Sequence, residues 1–418
     1  MTFARRKPTL IRKSRRAERI VRLFCLKYMG LLFRLYYVQS AGGVLTVKES
    51  IIRACTAARH ELHRHAELAH NEHWTKAYLM RFLRDRTAFE LHDKGEWFYA
   101  VYRSGSAKPG ILFRAEMDAV PVGETCAAGY SSLTKGVGHQ CGHDGHCAAL
   151  LAAALQLEED GAPCDVYLLF QHAEEIGEGA PVCVEILKNE AIGAFYGFHN
   201  CPGLPWGEVS ANRSGTAYYA SRGMIISLKG KPSHASMPEM GINPSFAIAE
   251  LIREISAIKD ASAFATIVGI SAGAHAFGTQ AGTGELCLTV RAESDEGLQQ
   301  LQEQLEAKIV SLSKRDQLDY TISFCDDFPA TIIDAKCSAI VEKVCGDMGI
   351  PFQYQDSPDR SSDDLGWYTK SIPGTVFFVG DGENYPELHT SDFDFPDPLL
   401  PLISTLILHI IKEQALNF

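Results

Sequence analysis

The sequence has no run of 18 uncharged apolar residues, so it gives no confident prediction of a membrane-spanning helix. It also shows no internal repeat and no low-complexity tract, which argues against a repeat architecture. Its twelve cysteines include no C-x2-C pair, the spacing typical of closed structural zinc sites. Several of them, such as Cys55, Cys147 and Cys287, fall inside apolar helix or strand patterns. We therefore predict reduced, mostly buried thiols in a cytoplasmic protein.

Positive charge is scarce outside one segment. Residues 1–39 hold eleven Lys and Arg against one acid, whereas the remainder holds 29 basic and 50 acidic residues. This acidic body should repel nucleic acid and anionic membranes, so we predict neither as a partner. The 418 residues, 46% of them apolar, suffice for two or more hydrophobic cores.

Three interpretations of the basic extension, residues 1–46, stay open. It could be an amphipathic surface or targeting helix, a poorly ordered extension, or the product of a start assigned too early, with Met29 or another internal start as the true one. The following stretch, 47–86, has a helical pattern with five histidines, at His60, His63, His65, His70 and His73. We interpret them as polar positions on exposed helices, because no neighbouring carboxylate or thiolate pattern completes a metal site.

Alternating strands and helices follow, and polar residues come directly after the predicted strands. The strands are nearly continuous apolar runs, as in a sheet covered on both faces; they are 110–115, 165–170, 194–198 and 375–379. Open α/β sheets place their sites beyond the carboxyl ends of such strands. Between about 215 and 326 the order becomes strand-helix-strand-strand-helix-strand, which predicts a split βαβ unit inserted as a lid domain.

The chemistry centres on a polar loop, Gly138–His146, that leads into a predicted helix. Cys141 and His143 lie two residues apart, so both side chains point the same way in an extended loop and form half of a zinc-type site. Residues that follow the other strands supply further candidate ligands: Glu175, His199 and His389. Five ligands exceed the needs of one tetrahedral ion, which favours two ions that polarise a carbonyl and lower the pKa of a bridging water.

Four further residues have candidate roles beside these ligands. Glu174 could take a proton from the water, and Asp118 could orient a ligand histidine. In the lid, His234 lies in a turn-like segment and could donate a hydrogen bond to a tetrahedral oxyanion when the lid closes. Arg291 ends a lid strand, where it is either a partner for a substrate carboxylate or an ordinary surface arginine.

Taken together, the motifs resemble the co-catalytic metallopeptidase family that includes aminoacylase and carboxypeptidase G. They are most similar to its amidohydrolase branch, which contains hippurate hydrolases, N-acyl-amino-acid amidohydrolases and plant auxin-conjugate hydrolases. The similarity covers about residues 50 to 415. The motifs, in order, are 113–121, the Cys-Gly-His-Asp-Gly-His loop 141–146, 171–175, 197–199 and 388–390.

The resemblance implies a mixed-sheet catalytic α/β domain, residues 47–214 and 327–418, with an inserted ferredoxin-like lid at 215–326 that often forms a homodimer. It implies ligand roles for Cys141, His143, Glu175, His199 and His389. Two divalent ions are expected, and ligation by cysteine, histidine and carboxylate admits Zn, Mn, Co or Ni. It also implies that Glu174 is the general base and that His234 assists catalysis from the same or a partner subunit.

Three positions depart from the family pattern. Glu116 stands where an aspartate is usual, and Arg222 stands where an acid is common. The segment Gly278–Gly282 replaces an Asn-Val-Ile-Pro-Asp run whose asparagine contacts the substrate or the partner.

The resulting prediction is a metal-dependent amidohydrolase that cleaves N-acyl amino acids or similar small-molecule amides. A dipeptidase of the same chemistry, which needs a free α-amine, is the first alternative. A non-catalytic metal-binding or ligand-binding relative is the second, and the altered 278–282 segment is its only support.

Overall fold

The computed structural model describes residues 46–125, 129–258 and 260–418, so the basic extension lies outside the described residues apart from Thr46. The helices are α1 (Glu49–Arg64), α2 (His73–Arg84), α3 (His143–Asp160), α4 (Ala180–Cys183), α5 (Ile186–Asn189), α6 (Ser245–Ala257), α7 (Asp295–Arg315), α8 (Ala335–Met348), α9 (Gly366–Thr369) and α10 (Leu400–Leu416). The strands are β1 (Glu90–Asp93), β2 (Phe98–Tyr102), β3 (Gly110–Glu116), β4 (Val166–Gln171), β5 (Ile192–Pro202), β6 (Val209–Asn212), β7 (Gly215–Tyr218), β8 (Ala220–Lys229), β9 (Ala263–Ala272), β10 (Thr283–Ala292), β11 (Asp319–Phe328), β12 (Thr331–Ile333), β13 (Phe352–Gln355) and β14 (Gly374–Gly382).

Eight strands form one mixed sheet in the order β1-β2-β4-β3-β5-β14-β6-β13. The four strands predicted from the sequence, β3, β4, β5 and β14, are its parallel centre. Every residue of β3 and β4 is buried, which is why these strands appear in the sequence as unbroken apolar runs. Their carboxyl ends lie at one edge of the sheet, as the sequence predicted.

The C-terminal helix α10 is more apolar than the other long helices of the described residues and packs against α3 and α8. Together with the short turn before it, from Asp397, this helix is long and apolar enough to cross a membrane, but most of its side chains are buried within the protein. A helix that is apolar on all sides and packed on all sides is a core helix.

The predicted helical stretch 47–86 is two helices, α1 and α2, separated by residues 65–72. The interpretation of its histidines as exposed polar positions is wrong for His63, which is 1% exposed. Its ring contacts Asp144 at 2.9 Å and Glu124 at 2.7 Å. No local sequence pattern pairs His63 with a carboxylate, because its partners, Asp144 and Glu124, belong to distant parts of the chain.

The inserted segment forms a second sheet of four antiparallel strands in the order β11-β8-β10-β9. Helices α6 and α7 pack against this sheet, and alternate residues of β8 and β10 are buried, among them Met224, Ile226, Leu286 and Leu288. This strand and helix order confirms the predicted split βαβ unit. The residue boundaries of the two domains stay a prediction.

Candidate metal centre

Four chain segments bring metal-type side chains to the carboxyl edge of the main sheet. Asp118 follows β3, Glu174 and Glu175 follow β4, and His199 lies within the end of β5. His389 lies in the loop after β14, where its backbone nitrogen donates to the Gln140 carbonyl at 2.8 Å. That hydrogen bond ties the most distant ligand segment to the polar loop that precedes α3.

The polar loop positions Cys141 just before α3 and His143 as the first residue of the helix. Gly142, between them, has φ 97°, a left-handed conformation that glycine adopts without steric cost. A Cβ atom at this position would lie 2.3 Å from Asn200 Oδ1. Glycine is therefore required here both by the turn and by the close approach of β5.

The five predicted ligand side chains converge. The possible ligand atoms of Cys141, His143 and His199 lie within 4.8 Å of one another, and so do those of Cys141, Glu175 and His389. Individual separations are 3.6 Å from Cys141 Sγ to His199 Nε2 and 3.3 Å from His389 Nε2 to Glu175 Oε1. Cys141 and His389 belong to the same group, so residues 248 positions apart in the sequence meet in one pocket.

Hydrogen bonds to the far ring nitrogens fix two of the histidines. His143 Nδ1 donates to the Asp118 carbonyl at 2.9 Å, and His199 Nδ1 donates to the Asn200 carbonyl at 2.7 Å. Both rings therefore direct Nε2 into the pocket, which is the orientation of metal-binding histidines.

Within the part of the chain that the structure describes, three buried atoms around the pocket lack a hydrogen-bond partner: Asp118 Oδ1, His143 Nε2 and Glu175 Oε1. The last two lie 3.7 Å apart. Buried polar atoms are almost always paired, so two such atoms that face each other among thiol, imidazole and carboxylate groups fit a metal ion. The residues present therefore match the donor set that a divalent ion requires.

The pocket brings several acidic groups together, and two of them have raised pKa values. Burial, with the charges of Glu175 and Glu174, raises the pKa of the Cys141 thiol well above its usual range. Burial, with the charges of Asp363 and Glu175, likewise raises the pKa of Glu174 well above its usual range. A divalent ion would oppose both effects, because it favours the deprotonated form of a ligand thiol and its charge favours the ionised form of a nearby carboxylate.

Sequence reasoning missed a set of charged side chains next to Glu174. Arg114 on β3 is buried and forms ion pairs with Glu116, Asp363 and Asp364. The two aspartates lie just before α9, in a segment where the sequence shows no strand end to draw attention to them. The double acid Asp363–Asp364 within a polar run was the one signal in the sequence that could have found them.

Glu72 was also missed. It is 3% exposed, and its Oε1 accepts a hydrogen bond from the Ala173 backbone nitrogen at 2.7 Å. Ala173 has φ 48° and immediately precedes Glu174, so Glu72 holds a left-handed turn that orients the glutamate pair. Burial, together with the charge of Asp118, raises the pKa of Glu72 to about 7.

The two lid residues differ in position. His234 is exposed, and its Nδ1 contacts Ser236 Oγ at 2.7 Å within its own loop, so the structure does not bring it to the ligand group. Arg291 donates to Ser362 Oγ at 2.7 Å and to the Arg360 carbonyl at 3.0 Å. It therefore lies against the segment that carries Asp363.

The departures from the family pattern have local explanations. Glu116 pairs with Arg114 and also contacts His146 Nδ1 at 2.7 Å, beneath the polar loop. Arg222 contacts Asp327 at 2.7 Å, which joins β8 to β11 in the lid sheet. Both residues are thus held by oppositely charged or polar neighbours.

Comparison with known proteins identifies the class that this fold and donor set define. The family model described as peptidase family M20/M25/M40 matches residues 112–413, and the chain belongs to this family. It is a metal-dependent hydrolase that acts on amide bonds.

Similar proteins and structures agree with this class. N-acetyl-L-cysteine deacetylase of Bacillus subtilis (strain 168) is 28% identical over 371 residues, covering 83% of this chain and 87% of the relative. Hippurate hydrolase of Campylobacter jejuni is 27% identical over 358 residues, covering 82% and 91%. A dinuclear metal-binding peptidase of the M20 family from Bacillus subtilis has a similar fold, with a TM-score of 0.75 at 23% identity over 87% of this chain and 98% of that one. That structure supports the predicted combination of catalytic domain and lid.

Proposed function

We propose that the protein hydrolyses N-acyl amino acids, or similar small amides that carry a carboxylate, with Glu174 as general base. The observation that carries this proposal is the convergence of five metal-type side chains beside Glu174, whose Oε2 lies 3.8 Å from His143 Nε2. The names of the related deacetylase and hippurate hydrolase support an acylated amino acid as substrate.

The ligand arrangement supports two divalent ions. Two groups of donors share Cys141: one adds His143 and His199, and the other adds Glu175 and His389. A shared thiolate between two three-ligand groups is suited to a pair of ions a few Å apart. The mixture of thiolate, imidazole and carboxylate accommodates Zn, Mn, Co or Ni.

Bound ions would polarise the scissile carbonyl and lower the pKa of the attacking water. Glu174 also forms a possible donor group with His143 and Glu175, but neither of the two groups that share Cys141 needs it, so in this proposal its carboxylate is available to the water. In the proposed reaction Glu174 accepts a proton from the water while the oxygen of that water bonds to the carbonyl carbon of the amide. It then returns that proton to the nitrogen as the amide bond breaks, which releases a carboxylic acid and an amine.

Arg291 is the proposed partner for the substrate carboxylate. The guanidinium donates to a hydroxyl and to a backbone carbonyl, neither of which neutralises its charge. Burial lowers the pKa of Arg291 despite the opposing charge of Asp359. A half-buried cation beside the Asp363 segment is suited to an anionic group on the substrate.

Two features of the proposal concern the whole protein. His234 would reach the reacting carbonyl through lid closure or from a partner subunit, and a homodimer through the lid is part of that expectation. The ten cysteines of the described residues are unpaired, which supports a reducing, cytoplasmic location.

The alternatives make different predictions. A dipeptidase would require a free α-amine, so a panel of matched N-acyl amino acids and free dipeptides separates it from the proposed enzyme. A non-catalytic relative would bind metal yet stay inert across a broad amide panel.

The decisive test is Glu174→Gln in the full chain. We expect turnover of an N-acyl amino acid to fall by roughly 10²–10⁴-fold while the metal content stays that of the wild type, because glutamine cannot accept the proton. The exposed Glu303→Gln on α7 is the matched control. Near-normal turnover in the Glu174 variant would reject the mechanism.

A further inference from the structure

A second group of metal-type side chains lies outside the candidate metal centre. It consists of His70, between α1 and α2, Glu96, between β1 and β2, and His172, directly after β4. One ligand atom from each lies within 4.8 Å of the other two. Three separate chain segments thus bring two imidazoles and a carboxylate together.

The distances show which atoms face each other. His70 Nδ1 lies 2.9 Å from Glu96 Oε1, and His172 Nε2 lies 3.7 Å from Glu96 Oε2. One carboxylate therefore lies between two imidazole nitrogens, an arrangement that a divalent ion can bridge.

The far nitrogen of each ring has its own partner. His70 Nε2 lies 2.7 Å from Glu178 Oε2, and His172 Nδ1 lies 3.9 Å from Cys183 Sγ. A carboxylate that holds the outer N–H of an imidazole orients the ring and makes its inner nitrogen a better ligand. Glu178 stands in this position toward His70.

A simple ion pair explains His70 but not His172. His70 between Glu96 and Glu178 could be an ordinary imidazolium with two carboxylate partners. His172, in contrast, is 1% exposed, and its Nε2 lies 3.7 Å from Glu96 Oε2, which exceeds hydrogen-bond distance. The nitrogen and the carboxylate oxygen therefore face each other without a direct bond, at a separation that an ion bound to both can span.

We propose that His70, Glu96 and His172 form a third metal site, which binds one divalent ion of the zinc class. Two imidazoles and one carboxylate leave a fourth position for water, as in open zinc sites. The site is independent of the proposed amide hydrolysis, because none of its three ligands belongs to the candidate metal centre. An ion there would cross-link the α1–α2 loop to the segment that leads from β4 to Glu174.

The test is zinc content after equilibrium dialysis of the metal-stripped full chain against buffered zinc near neutral pH. The variant is His70→Asn, because His70 has φ 62° and asparagine tolerates that conformation better than alanine. We expect His70→Asn to bind one equivalent of zinc fewer than the wild type. The control His275→Ala removes an exposed histidine on a lid loop and should bind as the wild type does.

Glu96→Gln is a second variant that keeps the shape of the site, and it should lose the same equivalent. Zinc should raise the unfolding temperature of the wild type more than that of either variant. Equal zinc content in wild type and both variants would overturn the proposal. Loss of zinc together with loss of turnover would also overturn it, because that result places the lost ion in the candidate metal centre.

Discussion

Asp118 contacts both sides of the candidate metal centre. Its carbonyl accepts the His143 Nδ1 hydrogen at 2.9 Å, and its Oδ2 accepts the Glu175 backbone N–H at 2.9 Å. Burial opposes ionisation, but the imidazole of His143, whose Nδ1 lies 3.5 Å from Asp118 Oδ1, outweighs burial and lowers the pKa of Asp118. The residue thus orients two candidate ligands, His143 and Glu175, and its ionised side chain makes His143 a stronger metal ligand.

Asp118→Asn should weaken metal binding without unfolding the protein. The carbonyl contact to His143 is unchanged, but the neutral amide no longer supports the histidine electrostatically. We expect metal affinity to fall by roughly 10–100-fold, as for other partners of metal-binding histidines, and turnover to recover at high metal concentration. Metal titration followed by calorimetry measures this, with the exposed Asp356→Asn as control. An unchanged affinity would remove Asp118 from the centre.

Arg291→Met tests the proposed carboxylate contact. Methionine keeps much of the length of the side chain but removes its charge. We expect KM for an N-acyl amino acid to rise by about 10–100-fold, the value of a charge-assisted hydrogen bond of about 1.5–3 kcal/mol. The corresponding N-acyl amino acid amide, which lacks the carboxylate, should show the same KM with both proteins. The exposed Arg253→Met on α6 is the control, and a KM unchanged for both substrates would contradict the assignment.

At the scale of elements, the start of α3 determines the position of two candidate ligands. Gly145 lies in its first turn, and a Cβ atom there would lie 2.3 to 2.5 Å from ring atoms of Phe395. Phe395 is 1% exposed and cannot move freely. The first turn of α3 is therefore pressed against the C-terminal segment, and that contact holds Cys141 and His143 in place.

Gly145→Ala should displace this turn. We expect the free energy of unfolding to fall by about 1–3 kcal/mol, the usual cost of overpacking a core, and metal affinity to fall with it. Gly346→Ala in α8 is the matched control, because a Cβ atom at that position would have no atom within 4 Å and alanine favours a helix. Chemical denaturation and metal titration measure both effects. A Gly145→Ala protein as stable as the control would contradict the packing argument.

Some elements of the fold and site could be predicted from the sequence, and others could not. The strands that carry the site were predictable, because burial on both faces leaves unbroken apolar runs and sites follow their carboxyl ends. Asp363 and Glu72 follow no strand of the sheet, so the pattern that located the other site residues did not locate them; the adjacent pair of acids that includes Asp363 was the only sequence signal for that segment. The burial of His63 was missed because its partners, Asp144 and Glu124, lie 81 and 61 residues away. Pairing at such distances leaves no local pattern.

At the scale of the whole molecule, one buried set of charges joins α1, α3 and the segment before α10. Arg59 forms ion pairs with Asp144 at 2.9 Å, Asp394 at 2.9 Å and Asp397 at 2.6 Å. His63 contacts Asp144 from the same helix α1. Because Asp144 belongs to the loop that carries Cys141 and His143, this set of charges ties the candidate metal centre to both ends of the catalytic domain.

His63 makes the stability of this arrangement depend on pH. Burial alone would lower its pKa, but hydrogen bonds and charges of Asp144 and Glu124 outweigh burial and raise the pKa to about 10. A raised pKa means that the folded state holds the proton more tightly than the unfolded state. The stabilisation is therefore complete below the unfolded pKa of about 6.5 and is lost as pH rises toward 10.

His63→Gln should remove this dependence. We expect the variant to lose roughly 3–5 kcal/mol of unfolding free energy at pH below about 6.5, where the wild-type imidazolium is paired with Asp144, and markedly less as pH approaches 10. Urea denaturation across that pH range measures the difference, and groups that titrate in both proteins cancel in it. The exposed His275→Gln should follow the wild-type curve. A loss that stays constant over the whole range would mean that His63 stabilises the fold by packing, with no contribution from its charge.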